Sequence, residues 1–429
     1  MFIMKTTINV SFCAIHCIQR TPHSDLIEAG ASTFASAGKK PLSLLAISLC
    51  FSIIGAGVAL GEGAFYGDPP SDTHPWAIHD LNRPQPPRVE PGTPSTQELS
   101  GKPPSDAIIL FDGTPKSIAK WESVKEPRQP APWKVENGVL QVVPGSGDIG
   151  TLEAFGDCQF HIEWSAPTGV NGSSQARSNS GVFFAGGVEV QILDNYDNPT
   201  SPDGFAGSVY GVNPPHANPL HPPGQWQVYD IIFRRPVFKD GKMLDGGRLT
   251  VTVNGVVVQD STPLEGGGGH KSRSKDRPFP ETGPLKLQDH GNPIRFRNIW
   301  YRTLPKRAVE GGDIGAMDPA AATSKKLEIA NNIRLDAETK QGDERLLRLM
   351  ESLCYATDAA TIQTIETDLA KWTKAAKDTP PNEMEAKKES IMKMFRAVRY
   401  LTKFGFYPDA GDCKPVLMQI VLSNGWDPR

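Results

Sequence analysis

The densest grouping of chemically capable residues in this chain lies between positions 177 and 300. In VEVQILD (188–194), successive side chains of an extended strand alternate faces, so Val188, Val190 and Ile192 point one way while Glu189 and Gln191 point the other. One face suits a core, and the other carries a carboxylate beside an amide, with Asp194 closing the run. The same alternation in IRFRNIW (294–300) sets Arg295, Arg297 and Ile299 on one side and Ile294, Phe296 and Asn298 on the other. LQDHG (287–291) adds Gln288, Asp289 and His290 directly before a turn, and RSNSGV (177–182) adds Arg177, Asn179 and Ser180 directly before a strand. A polar strand face taken alone is ordinarily solvated surface, but four such clusters, each beside glycine, call for more than solvation. Glu189, Gln191, Asp289, His290, Arg295 and Arg297 are therefore expected to converge on one polar concave face. His290, beside Asp289 and near arginines, becomes a candidate acid or base.

Aromatic residues belong to the same picture. Tyr196, Phe205 and Tyr210 lie in or beside a long loop at 195–225, and Trp226 opens the strand after it. Such rings, joined to amide, carboxylate and guanidinium groups, suit a sugar, which offers apolar C–H faces together with many hydroxyls. Carbohydrate is the expected partner. No Cys/His spacing resembles a zinc site, so no cofactor is expected; a divalent ion stays open as an alternative, with Asp and His nearby but no ligand spacing to support it.

Positioning these groups requires strands. Between Ala107 and Leu304 the chain runs in short apolar or alternating segments separated by turn residues: 107–111, 133–143, 158–166, 181–185, 188–194, 226–235, 248–261, 283–291 and 294–304. Asn137-Gly138 and Asn254-Gly255 are hairpin signals. Many short strands with no helical period between them predict a mainly β domain over 107–305, an antiparallel β-sandwich or jelly roll. After Pro305 the period changes. Leu346, Leu347, Leu349, Met350 and Leu353, then Ile362, Ile365, Leu369 and Trp372, follow helix spacing, with breaks at Gly342, Asp358 and Thr379-Pro380-Pro381. About four helices are expected between Ala320 and Phe404, within a helical C-terminal region at 306–429.

The N-terminal third is different again. Residues 65–106 form a Pro-rich leader; Trp76, Ile78 and Leu81 predict that Thr73 to Val89 packs onto something, while the stretch after Pro91 reads as linker. Lys39 and Lys40 precede an apolar run from Pro41 to Leu60 that ends in small residues, the pattern of a secretory signal within the export region 1–64, with cleavage after Gly61 or Ala64. Cleavage predicts a secreted or periplasmic protein with no stable membrane span; the alternative reading of the run is an uncleaved anchor, with the protein associated with the cell envelope. Cleavage would also remove Cys13, Cys17 and Cys50 and leave Cys158, Cys354 and Cys413, of which Cys354 and Cys413 are the expected pair. Across the 429 residues, 41 glycines and 38 prolines exclude a mostly helical protein, and a formal charge of −3 offers no field for gripping a nucleic acid.

From Thr73 to Leu304 the chain resembles the 3-keto-disaccharide hydrolase domain family. The resemblance is carried in order by HPWAIHDLNRPQPP (74–87), LFDGT (110–114), WKVENGVLQV (133–142), FGDCQFHIEWSAP (155–167), SNSGVFF (178–184), VEVQILDNY (188–196), DGFAGSVYG (203–211), PPGQWQVYDIIFRRPVF (222–238), VTVNGVVVQD (251–260) and LQDHGNPIRFRNIW (287–300). Ser178 and His221 depart from the family's usual glycine and basic residue. The resemblance implies a concanavalin-like sandwich that hydrolyses 3-keto-glycosides: proton abstraction at C2, elimination at C1 and hydration. It points to Glu189 or His290 as base, with Asp289 and Arg297 also in the catalytic set, an arginine stabilising the enolate. Gln191, Asp194, Asn179, Tyr196, Tyr210, Gln288, Arg295 and Trp226 would bind substrate. Two other readings stay open: a conventional retaining glycosidase, which needs two carboxylates about 5–5.5 Å apart, and a non-catalytic carbohydrate-binding module.

Overall fold

The computed structural model describes residues 64–266, 268–273, 278–407 and 413–428. The expected export segment and its three cysteines lie outside the described residues, among which no helix is long and apolar enough to cross a membrane.

Alternating apolar side chains build two antiparallel sheets. The larger contains β1 (Ile108–Phe111), β3 (Lys134–Glu136), β4 (Val139–Gln141), β6 (Cys158–Ser165), β9 (Gln227–Arg234), β12 (Arg248–Val253), β13 (Val256–Pro263) and β17 (Arg295–Thr303). Its order is β13-β12-β9-β6-β17-β4-β3, with β1 also paired to β17. The smaller contains β2 (Trp121–Ser123), β5 (Ile149–Phe155), β7 (Ser180–Phe184), β8 (Val188–Ile192) and β16 (Gly283–Leu287) in the order β2-β5-β16-β7-β8. Two short hairpins, β10 (Val237–Lys239) with β11 (Lys242–Asp245) and β14 (Gly268–Gly269) with β15 (Ser272–Arg273), stand apart.

The sheets meet through the faces that the alternation predicts. Phe160, Ile162, Trp164, Tyr229, Ile231, Phe233 and Phe296 from the larger sheet share one buried cluster with Val182, Phe184, Val188, Val190, Ile192, Leu285 and Leu287 from the smaller. The Phe184 ring meets Phe160 edge-on at 5.5 Å and stacks on Phe233 at 4.7 Å, so the sheets touch directly. Burial of each such side chain contributes about 1.5–3 kcal/mol. The fold is the mainly β sandwich read from the sequence, followed by C-terminal helices.

Besides the short α1 (Pro115–Ile118), the helices are α2 (Pro319–Glu338), α3 (Gly342–Ser352), α4 (Ala359–Lys377), α5 (Lys388–Lys403) and α6 (Cys413–Ser423). Asp318 and Asp358 cap α2 and α4 by accepting from the backbone N–H groups two and three residues on. Ile333, Leu349, Leu369, Phe395, Leu401 and Leu417 close a second core among them. Helix α6 lies past the expected end at Phe404, and β2 and β5 had no counterpart among the expected strands. β5 carries Gly150 and a run of exposed side chains at 152–154, which erases its alternation.

Two expectations need correction. Cys354 and Cys413 are free thiols, as is Cys158. The stretch after Pro91 is no free linker: residues 92–104 form a strap across the outer face of the larger sheet. Ser95 Oγ donates to Glu163 at 2.7 Å, the Gln97 amide exchanges two hydrogen bonds with the Trp226 backbone, and Asn298 Nδ2 donates to Gly101 O. The first half of the leader packs on the helical region. Trp76 Nε1 donates to Asp313 at 2.7 Å, and Asn82 Nδ2 donates to Glu351 at 2.7 Å. Proline and polar residues satisfied by partners far away in sequence look the same, residue by residue, as a solvated tether.

Candidate functional site

The outer face of the smaller sheet carries the first cluster. Lys286 on β16 opposes Phe183 on β7, which opposes Glu189 on β8, so these three side chains form one row across the strands. In the next row Gln191 opposes Gly181, and the backbone N–H of Gln288 donates to Gly181 O. The Glu189 carboxyl leans over Gly181: a Cβ added at Gly181 would stand 2.3 Å from Glu189 Oε1 and 2.8 Å from the Phe183 ring. Only glycine leaves that floor open. Gly181→Ala is expected to push the carboxyl aside towards solvent and so lower its pKa towards the ordinary carboxylate range with the protein still folded, as an NMR titration and thermal melting together would record.

Glu189 is only 9% exposed. Burial pushes its carboxyl up to about 7; the Lys286 charge works in the opposite direction and Asp148 adds to the rise. Lys286 Nζ is 2.7 Å from Asp148 Oδ2 and 3.7 Å from the centre of the Phe183 ring, which fixes the ammonium on this face. Tyr210 donates its backbone N–H to Glu189 O, and its phenol lies 3.3 Å from His270 Nδ1. Burial and the charges of Glu189 and Asp203 raise the Tyr210 hydroxyl above the usual phenol range.

Amides complete the face. Gln175 Oε1 accepts from Gln191 Nε2 at 3.0 Å, its backbone oxygen accepts from Asn179 Nδ2 at 2.8 Å, and its own Nε2 donates to Gly204 O at 3.0 Å. Gln288 Oε1 is buried and has no hydrogen-bond partner among the described residues. A buried carbonyl oxygen without a donor is costly, and a ligand hydroxyl would satisfy it. The free edge of β8 is closed by 207–210: Gly207 N donates to Gln191 O, and Gln191 N donates to Ser208 O. Asp194 is buried in a 2.7 Å ion pair with Arg177, which orders the loop beyond the strand. Tyr196 is 41% exposed on that loop.

His290 is exposed on the turn after Gln288, its backbone oxygen accepting from Asn292 Nδ2. Asn292 Oδ1 in turn accepts from Ser178 N, so this turn borders the Asn179 end of β7. Asp289 is occupied in the turn itself, accepting from Gly147 N and Gly291 N.

Arg295, Arg297 and Trp226 are on the other side of the molecule, which corrects the expected convergence. Alternation along a strand separates core from exterior, but each sheet has its own exterior. Arg297 opposes Glu163 on β6 in the larger sheet. There Arg297 Nε is 2.7 Å from Glu163 Oε2, its other nitrogens donate to Thr96 O and Gln97 O in the strap, and its guanidinium lies 4.2 Å from the Trp226 ring. Arg295 donates to Ser165 Oγ at 2.8 Å.

Lys286, Gly181, Phe183 and Gln175 belong to the face around Glu189 and were not picked out from the sequence. Lys286 shares strand parity with Gln288 and was within reach of that reading; nothing in the sequence marks Gln175. Among the described residues no group of three or more His, Cys, Asp and Glu could hold a metal ion.

A sandwich that sets one desolvated carboxyl among amides, a phenol and an ammonium defines a protein with a site suited to polyhydroxylated ligands. Residues 106–302 match the 3-keto-alpha-glucoside-1,2-lyase-like domain, and the chain belongs to that family. A solved protein of Parabacteroides distasonis ATCC 8503, provisionally named a glycosyl hydrolase, is 45% identical over 52% of this chain and 93% of its own, with a TM-score of 0.47. Another structure from the same organism, with the same provisional name, is 20% identical over 46% of this chain and 94% of its own, with a TM-score of 0.34. No curated protein matches the chain.

Proposed function

We propose that this protein cleaves 3-keto-glycosides on the outer face of the smaller sheet, with Glu189 as the base. The observation that carries the reading is the Glu189 carboxyl, raised by burial to about 7 and held beside a lysine and three amides. A base whose pKa lies near the working pH combines ionisation with proton affinity. A ketone at C3 acidifies the proton on C2. Glu189 takes that proton, and the electron pair passes into the C3 oxygen as an enolate, which the Lys286 charge stabilises. The enolate re-forms the ketone as the C1–O bond breaks, leaving a C1–C2 double bond. The departing oxygen takes a proton from Tyr210, whose hydroxyl feels the Glu189 charge, or from His290 on the bordering turn. Water then adds at C1 and a proton returns to C2, giving the free 3-keto sugar.

Gln191, held by Gln175, and Gln288 Oε1 would bind the sugar hydroxyls, with Asn179 steadying Gln175. Arg297 takes no part, because Glu163 and the strap occupy it. A retaining glycosidase would need a second free carboxylate. Asp148, the carboxylate whose charge reaches Glu189, is engaged by Lys286 and by the backbone N–H of Asp289. Family membership supports a carbohydrate substrate, and the leader pattern supports export.

The test is turnover of a 3-keto-glucoside against the same glycoside unoxidised. The expected result is cleavage of the keto substrate alone, with exchange of the C2 hydrogen into solvent. Equal rates on both substrates, or cleavage without exchange, would overturn the reading.

A further inference from the structure

The opposite face of the sandwich holds a cavity of about 590 Å³ between the strap and the larger sheet. That volume lies within the usual range for small-molecule sites. Its floor follows from register. Asp230 on β9 opposes His161 on β6, which opposes Trp300 on β17, and all three point away from the core. The Trp300 ring stacks on the His161 imidazole at 4.9 Å and 9°. His161 Nδ1 is 2.7 Å from Asp230 Oδ1, while its Nε2 side faces Glu163 Oε1 and Asn298. Trp226, Gln225, Asn254, His221 and Lys102 share the lining with the rest of the strap.

The polar groups of this cavity divide into two sets. Glu163 is fully buried and saturated by Arg297, Ser95 and Asn298. Its role is to hold the strap and fix the imidazole. Asp230, with a side chain 45% exposed, has one oxygen on His161 and presents its other oxygen without a partner among the described residues. Two indoles supply apolar surface for C–H faces. Asp230 accepts, Lys102 donates, and the amides do both. Lys102 offsets Asp230 and Arg297 offsets Glu163, so carboxylates are not outnumbered by ammonium and guanidinium groups here, which favours a neutral ligand over an anionic one.

We propose that this cavity is a second, non-catalytic binding site for a neutral saccharide, on the face opposite Glu189. It would hold part of a glycan while the other face carries out chemistry. The proposal does not depend on the reaction assigned to Glu189.

The experiment uses the full chain carrying Glu189→Gln, so that no probe is turned over, and titrates it with cellohexaose, maltohexaose and an oligoguluronate hexamer by calorimetry. At least one neutral hexamer is expected to bind and the uronate is not. Adding Trp226→Ala or Asp230→Asn should weaken that binding at least tenfold, while either substitution placed alone in the active protein leaves turnover of a small 3-keto disaccharide unchanged. Should Trp226→Ala disturb folding through Arg297, Asp230→Asn carries the test alone, since its side chain is half exposed. Failure of both neutral hexamers to bind, or binding untouched by Asp230→Asn, would overturn the proposal. Loss of turnover of the small disaccharide on either substitution in the active protein would overturn the non-catalytic assignment and count against the reading at Glu189 as well.

Discussion

Glu189→Gln is expected to lower kcat on a 3-keto-glucoside about 10²- to 10⁴-fold, the usual contribution of a positioned acid or base. In the unsubstituted enzyme, kcat/KM should rise as pH passes through about 7, where the carboxyl ionises, and then level off. The same substitution has a second effect, opposite in sense, on stability. Because burial raises the folded carboxyl from 4.5 to about 7, the folded state holds this proton more tightly than the unfolded chain does. Its contribution to stability is therefore fully present below pH ~4.5 and is lost as pH rises to ~7. At 1.36 kcal/mol per unit the loss amounts to roughly 3 kcal/mol. Glutamine carries no charge to desolvate, so the variant should match the parent near pH 4.5 and exceed it by up to roughly 3 kcal/mol at pH 8. Urea unfolding at the two pH values reads the difference directly. A gap that does not widen with pH would mean that the carboxyl is better solvated than its 9% exposure indicates.

Arg297→Met gives the second large effect, and it separates two roles that the sequence leaves confused. If Arg297 stabilised the enolate, its loss would abolish turnover in a protein of normal stability. Its place beside Glu163 predicts the reverse. Removing one partner of a buried pair costs about 3–5 kcal/mol, because the other charge is left without compensation. The strap loses its bonds from the guanidinium at the same time. Unfolding free energy should therefore drop by about that amount, while kcat per folded molecule stays within about twofold of the parent. The double substitution Glu163→Gln/Arg297→Met should recover part of the loss, since no lone charge remains buried. Normal stability with turnover abolished would return Arg297 to the reacting centre.

The particular residues show how far the sequence could be read. Val188, Val190 and Ile192 announced a strand with a core side, and Glu189 and Gln191 its outer side; the structure agrees in every position of that strand. The nine expected strand segments reflect a pattern written locally, in period and turn residues. Arg295 and Arg297 obey the same alternation, which breaks just after them at a bulge where Asn298, at positive φ, turns outward to Glu163 and Ile299 enters the core; both arginines still fall on the far side, because which sheet a strand joins depends on pairing across more than a hundred residues of chain. Distance along the chain also hid the strap. Ser95, Thr96 and Gln97 are ordinary loop residues until Glu163, Arg297 and Trp226 are brought beneath them. Gln175 and Gly181 matter through what they leave open or hold in place, and neither property has a signature in residue type.

The segment at 207–210 that runs along β8 has a consequence for how copies of the protein meet. β8 ends its sheet, and a terminal strand with unused N–H and C=O groups is a template for another chain. Here those groups are taken: Gln191 by Gly207 and Ser208, and the Glu189 oxygen by Tyr210. The strand that carries the proposed base is thus barred from adding a foreign strand.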